Sequence, residues 1–140
     1  MIDNRSAPYA ALLLRVSMGV LFLAHGLLKV LVFTPAGTAQ FFASLGLPAI
    51  LAYATIAAEL LGGIALVLGV KTRWVSLALV PILLGATWAH AGNGWVFSNE
   101  GGGWEFPLFW ALMLGVQALL GDGAYALASN RSVVQRPVTA

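Results

Sequence analysis

Four long apolar runs, over residues 8–33, 47–70, 74–92 and 106–127, fill most of the chain. Each is close to the ~20 residues that a helix needs to cross a hydrocarbon core. The pattern predicts an all-α integral membrane protein, a four-transmembrane-helix bundle within residues 1–130. Breakers mark the joints: Thr34, Pro35 and Gly37 after the first run, Gly69 before Lys71, Gly92 and Gly94 after the third, and Gly121 with Gly123 near the end of the fourth. Between the first two runs, residues 39–45 set Phe41, Phe42 and Leu45 beside Gln40 and Ser44. That mixture predicts a short helix lying in the membrane interface, as a lid or anchor. Pro81 removes one backbone hydrogen bond inside the third run and predicts a bend there.

Composition strengthens this picture. Of 140 residues, 60% are hydrophobic and 9% charged, against about 25% charged in soluble domains. Mean hydropathy is +0.90, and only lipid can solvate so much apolar surface. The formal charge of +2 comes from dispersed basic residues and not from a patch, which argues against nucleic acid as a partner. Cys is absent, so thiol redox chemistry, disulfides and cysteine-ligated clusters are excluded within this chain. Arg5 precedes the first run as in a signal peptide, but Arg15, His25 and Lys29 interrupt that run and no Ala-x-Ala site follows. A retained span is expected.

Loops rich in Lys and Arg stay cytoplasmic. Arg5, Lys71, Arg73, Arg131 and Arg136 fall on one side of a four-span bundle, whereas residues 34–46 and 91–103 contain no Lys or Arg. Both termini are therefore expected inside, with 131–140 as a cytoplasmic tail. Trp74 falls at the inner boundary, and Trp95, Trp104 and Trp110 cluster near the outer one, as an aromatic belt would.

Ionisable groups within the runs carry the chemistry, because each costs about 2 to 3 kcal/mol or more in lipid unless compensated. Arg15, Phe22, His25 and Lys29 are spaced by seven, three and four, one stripe of the first helix, which must face the bundle interior. Counting ~1.5 Å per residue, Arg15 lies ~10 Å and Glu59 ~16 Å from the inner ends of their helices, within reach of an extended side chain. An Arg15–Glu59 ion pair is expected, acting as a clasp that fixes helix register or in proton transfer. His25 and His90 reach ~25 Å and ~24 Å up the first and third helices, so they share an outer level with Lys29, Asn93 and Glu105.

Ringed by Phe22, Trp88, Trp95 and Trp104, the group His25, Lys29, His90, Asn93 and Glu105 suits a quinone head, whose carbonyls imidazoles can bind. Separately satisfied interfacial histidines are the plainer alternative. Bis-histidine haem ligation is a further one, and a metal on His25, His90 and Glu105 another. No residue stands out as catalytic, and no intrinsic cofactor signature is present. Gly62 and Gly63 after Glu59 read as a packing seam, and Gly101 to Gly103 as a flexible outer turn without a nucleotide motif.

Arg15 with Gly19, His25-Gly26 and Lys29, then Gly46-Leu47-Pro48, Glu59 with Gly62-Gly63 and Gly69, Asn93-Gly94-Trp95, Gly102-Gly103-Trp104-Glu105-Phe106-Pro107 and Gly121-Asp122-Gly123 together give a chain that resembles the DoxX family. The order and spacing carry the resemblance; residues 34–44 and the tail after 130 do not. It implies a bacterial inner-membrane protein of four helices, whose namesakes are linked to thiosulfate:quinone oxidoreductase and to membrane-associated oxidoreductase complexes. Two functions stand against each other. One is a membrane subunit of quinone-linked redox chemistry, working with a membrane or peripheral redox protein. The other is a non-catalytic scaffold or assembly factor. A small-solute carrier is disfavoured because the halves show no inverted repeat.

Overall fold

The computed structural model describes residues 3–128. Its elements are α1 (Ala7–Leu31), α2 (Pro35–Ser44), α3 (Ala49–Leu68), α4 (Thr72–His90), a 3-10 turn (Ala91–Asn93) and α5 (Glu105–Leu120). Among the described residues the chain is all-helical, apart from one isolated bridge between Val70 and Ala128. Among the described residues, three helices are long and apolar enough to cross a membrane: α1, α3, and α4 with its 3-10 turn. The protein is a multi-pass membrane protein.

α5 has 16 residues and stops short of the apolar run from which it was expected. Gly121 takes φ 82° and ψ −152°, which leaves the helix, and its carbonyl accepts from Gln117 Nε2 at 2.8 Å. Residues 121–128 then turn across one end of the bundle. Ala124 N–H donates to Pro8 O, and Leu127 and Ala128 N–H donate to Leu68 and Gly69 O. The fourth apolar run is thus a shorter helix plus a strap. Arg131, Arg136 and the rest of the expected tail lie outside the described residues. At the other end of the sequence, the exposed Asp3 carboxylate accepts from Arg5 N–H and Ser6 Oγ. These bonds, the one from Arg5 first, hold its pKa below the ordinary carboxylate value.

α1 and α3 run antiparallel and nearly touch. A Cβ on Gly19 would come within 2.8 Å of Gly63 O, and one on Gly63 within 2.9 Å of Gly19 O. Small residues permit this approach, which lipid-soluble helices use in place of a hydrophobic driving force. α4 packs along α5, tied at its start by Arg73 Nε donating to Ala118 O at 3.0 Å. α4 continues through Pro81 without a break.

α2 starts earlier than the run 39–45 that predicted it. Pro35 suits a first turn, and Thr34 accepts from Gly37 N at 3.1 Å as an N-cap. It lies against α3, and Thr38 Oγ1 donates to Thr34 O at 2.9 Å. The interior apolar layer is Met18, Phe22, Leu66, Leu79, Leu83 and Leu114 with Trp110 and Ala111. Leu13, Leu31, Ile50, Leu61 and Leu119 face outward, as a lipid-facing surface does.

Candidate functional site

The antiparallel register of α1 and α3 decides the partners of the buried charges. Arg15 is 1% exposed. Its Nη1 donates to Leu66 O and Val67 O, each at 2.9 Å, and its Nη2 donates to Ala124 O at 3.1 Å. α3 ends at Leu68, where carbonyls have no intrahelical donor and the helix dipole is negative. A guanidinium, with five fixed donors, satisfies several of them at once.

The expected Arg15–Glu59 ion pair is therefore not formed. Glu59 lies seven residues before Leu66, about 10 Å away along α3, and is paired instead with Lys29. Lys29 Nζ donates to Glu59 Oε1 at 2.8 Å and to Oε2 at 2.9 Å, with the two side chains 21% and 6% exposed. The register sets Gly26 against Glu59 and Leu60, so that Lys29, one turn beyond Gly26, reaches back along its flexible stem. Depth counted from Pro8 and Val70 took those two ends as level, whereas Arg15 lies against Val67 and Glu59 beside Gly26.

His25 stands one turn before Lys29, within electrostatic range of Glu59. Its Nδ1 is 2.8 Å from Leu21 O. A carbonyl only accepts, so Nδ1 carries the hydrogen, and Nε2 of the neutral ring is left as an acceptor. The ring stacks on Phe106 at 6.2 Å and 25°, and meets Trp110 at 5.0 Å.

His90, Asn93 and Glu105 do something different. His90 Nδ1 donates to Gly101 O at 2.9 Å and Gly102 O at 3.1 Å, and Asn93 Nδ2 donates to the same two carbonyls, each at 2.9 Å. Glu105 Oε1 accepts from Phe97 N at 2.9 Å. Trp104 N–H donates to Gly94 O, Glu105 N–H to Trp95 O, and Trp95 packs edge-on against Trp104 at 4.6 Å. The glycine run is therefore a fastened turn: Gly101 and Gly102 take φ 79° and 78°, and a Cβ on Gly103 would collide with the carbonyls of Trp95 and Val96.

The shared site expected from depth thus divides. His25 and His90 come to the same end of the bundle, but His25 and Lys29 belong with Glu59, whereas His90, Asn93 and Glu105 hold the loop 94–104. Phe106 joins the halves, since it follows Glu105 in sequence and stacks on His25. Phe106 also lines an apolar groove of about 370 Å³ with Trp95, Phe97, Glu105, Phe109 and Leu112. Among the described residues no three His, Cys, Asp or Glu side chains converge as metal ligands.

Two features escaped the sequence reading. Trp110 was placed in the aromatic belt, yet it is 3% exposed and touches Phe22 at 4.4 Å, His25 at 5.0 Å and Phe106 at 5.6 Å. Its spacing of four from Phe106 was the available signal. The second is the strap, in which Asp122 Oδ1 accepts from Thr72 N at 3.1 Å and a Cβ on Gly123 would meet Leu12 N at 2.8 Å. The Gly-Asp-Gly spacing announced a turn that was read as the end of a span.

Residues 10–92, from α1 through α4 and its 3-10 turn, match the DoxX family. The chain belongs to the DoxX family. It is also similar to a protein of Bacillus subtilis (strain 168) named "Putative oxidoreductase CatD", at 43% identity over 83 residues, 59% of this chain. The aligned stretch covers 60% of that relative's length, so about two-fifths of the relative lies outside the comparison. No solved structure matches. The matched residues include Arg15, His25, Lys29, Glu59 and His90, so this DoxX-family chain carries the buried Arg15 and the Lys29–Glu59 pair in the shared part.

Proposed function

We propose that this DoxX-family protein is a membrane subunit of quinone-linked redox chemistry, binding a quinone or similar flat ligand at the His25 end of the bundle. One observation carries the reading: Phe106 is at once a wall of the lipid-facing groove and the ring stacked on His25, behind which lies the Lys29–Glu59 pair. A lipid-soluble carrier needs that order of surfaces, first an apolar approach, then an aromatic face, then a titratable group. Protonated His25 donates from Nε2 to a quinone carbonyl and the neutral ring accepts there from the hydroxyl of the reduced form, with Glu59 and Lys29 setting the charge behind it. His90, Asn93 and Glu105 shape the roof through the loop 94–104 and do not hold the ligand themselves. The name of the Bacillus subtilis relative supports a redox role, and its unaligned remainder leaves activity and partners within this proposal.

The same reading has α5 crossing as a fourth pass of a bacterial inner-membrane bundle. Arg5, Lys71 and Arg73 mark the cytoplasmic end, and the His25 end faces outward. A membrane or peripheral redox protein is the electron partner. Labelling of a reporter at Gly94 from the cytoplasm would overturn this orientation.

The scaffold reading is favoured by one observation, that Arg15, His90 and Asn93 all donate to the protein's own carbonyls and Glu105 accepts from its own backbone. Titration of the purified protein with a short-chain ubiquinone or menaquinone analogue separates the two. The dissociation constant should rise at least about tenfold in His25→Ala, the equivalent of one lost hydrogen bond to a partly buried group, and less than about threefold in His90→Ala. Absent binding, or binding indifferent to His25→Ala, selects the scaffold.

A further inference from the structure

Trp110 is the hub of the aromatic cluster at the His25 end, in ring contact with Phe22, His25 and Phe106. It is 3% exposed, and its indole Nε1 has no hydrogen-bond partner. A buried Trp N–H ordinarily finds an acceptor, because leaving a donor unmade in an apolar interior is costly. The other unpartnered buried atoms, on Arg15, Thr72, Ser76 and Gln117, belong to residues tied to the strap or to the start of α4. At the His25 end the indole stands apart as a donor, next to an imidazole whose Nδ1–H is committed to Leu21 O.

We infer that Trp110 Nε1–H is the donor that binds the oxygen of the ligand, making Trp110 a specificity residue of the site. The inference rests on the proposed quinone-type ligand and deepens it. An indole N–H can only donate, so the ligand must present an acceptor oxygen. Neutral His25 offers Nε2 as an acceptor, which suits a hydroxyl, and protonated His25 offers a donor, which suits a second carbonyl. The pair therefore selects a flat ring bearing carbonyl or phenolic oxygens over an alkyl chain of equal bulk. Phe106, 39% exposed between groove and indole, is the ring that must rotate for the ligand to pass.

Trp110→Phe keeps an aromatic ring against Phe22 and removes the donor. In this full-length variant the dissociation constant of a short-chain ubiquinone analogue should rise about tenfold. The carbonyl stretch of the bound, 13C-labelled analogue should move up toward its value in detergent alone. If the wild type binds, and the variant matches it in both affinity and stretch, the role of Trp110 is overturned while the quinone reading stands. If the wild type does not bind, both fall. Should the variant fail to fold, indole N–H signals of 15N-Trp-labelled wild type decide. One of the five must move downfield on adding the analogue and must persist in each of Trp74→Phe, Trp88→Phe, Trp95→Phe and Trp104→Phe; no such signal overturns the inference.

Discussion

Arg15 and Lys29 are two cations on one face of α1, both turned toward α3, and they end in opposite kinds of environment. Arg15 is bonded to backbone carbonyls of α3 and of the strap. Those carbonyls have no proton to exchange and no second state to adopt, so the Arg15 cluster can hold three chain segments together and do little else. Lys29 faces a carboxylate, with an imidazole one turn away and an aromatic cluster beyond. The members there are ionisable or aromatic side chains, the groups on which the proposed ligand site rests. A buried charge therefore says little about function until its partner is known.

The comparison is broken most directly at Arg15. Arg15→Met removes three hydrogen bonds and takes from Val67 O and Ala124 O the donor they have here, so stability in detergent should fall by about 3 kcal/mol or more. A thermal midpoint equal to the wild type's would show that the strap does not need the guanidinium.

Glu59→Gln should cost roughly 3 kcal/mol by leaving Lys29 as an unpaired, partly buried cation. Adding Lys29→Met should recover most of that loss while quinone-analogue binding remains weakened. Recovery of binding together with stability would make this pair as purely structural as Arg15. The smallest effect is expected at Asn93→Ala, about 1 kcal/mol, because His90 still donates to both glycine carbonyls. Loss of ligand binding there comparable to His25→Ala would return Asn93 to the site itself.

Legibility followed the range of the interaction. The apolar runs, the breakers and the stripe Arg15, Phe22, His25 and Lys29 are periodic features of single helices, and α1, α3 and α4 follow them closely. Seeing that Arg15 and Glu59 needed polar partners was also possible from composition, since lipid offers none. Choosing the partners was not. A depth count takes helix ends as level, whereas Gly19 packs on Gly63 and Arg15 bonds Val67 O, so Glu59 stands beside Gly26 and much nearer Lys29 than Arg15. The two histidines were correctly brought to one end for the same reason that they were wrongly merged: height along a helix is local, whereas azimuth is set by neighbours.

By itself the sequence determined that this chain lives in a membrane as helices, that one stripe of the first helix turns inward, and which residues need compensation there. These follow from local propensity and from the cost of exposing polar groups to hydrocarbon, and neither depends on how helices are arranged. Only the tertiary structure decided that Gly19 and Gly63 bring α1 and α3 into contact, that Lys29 answers Glu59, that Arg15 closes the end of α3, and that Trp110 leaves the belt for the core. Those outcomes depend on helix register and rotation, which emerge when backbones pack, and no single segment contains the partner that settles them.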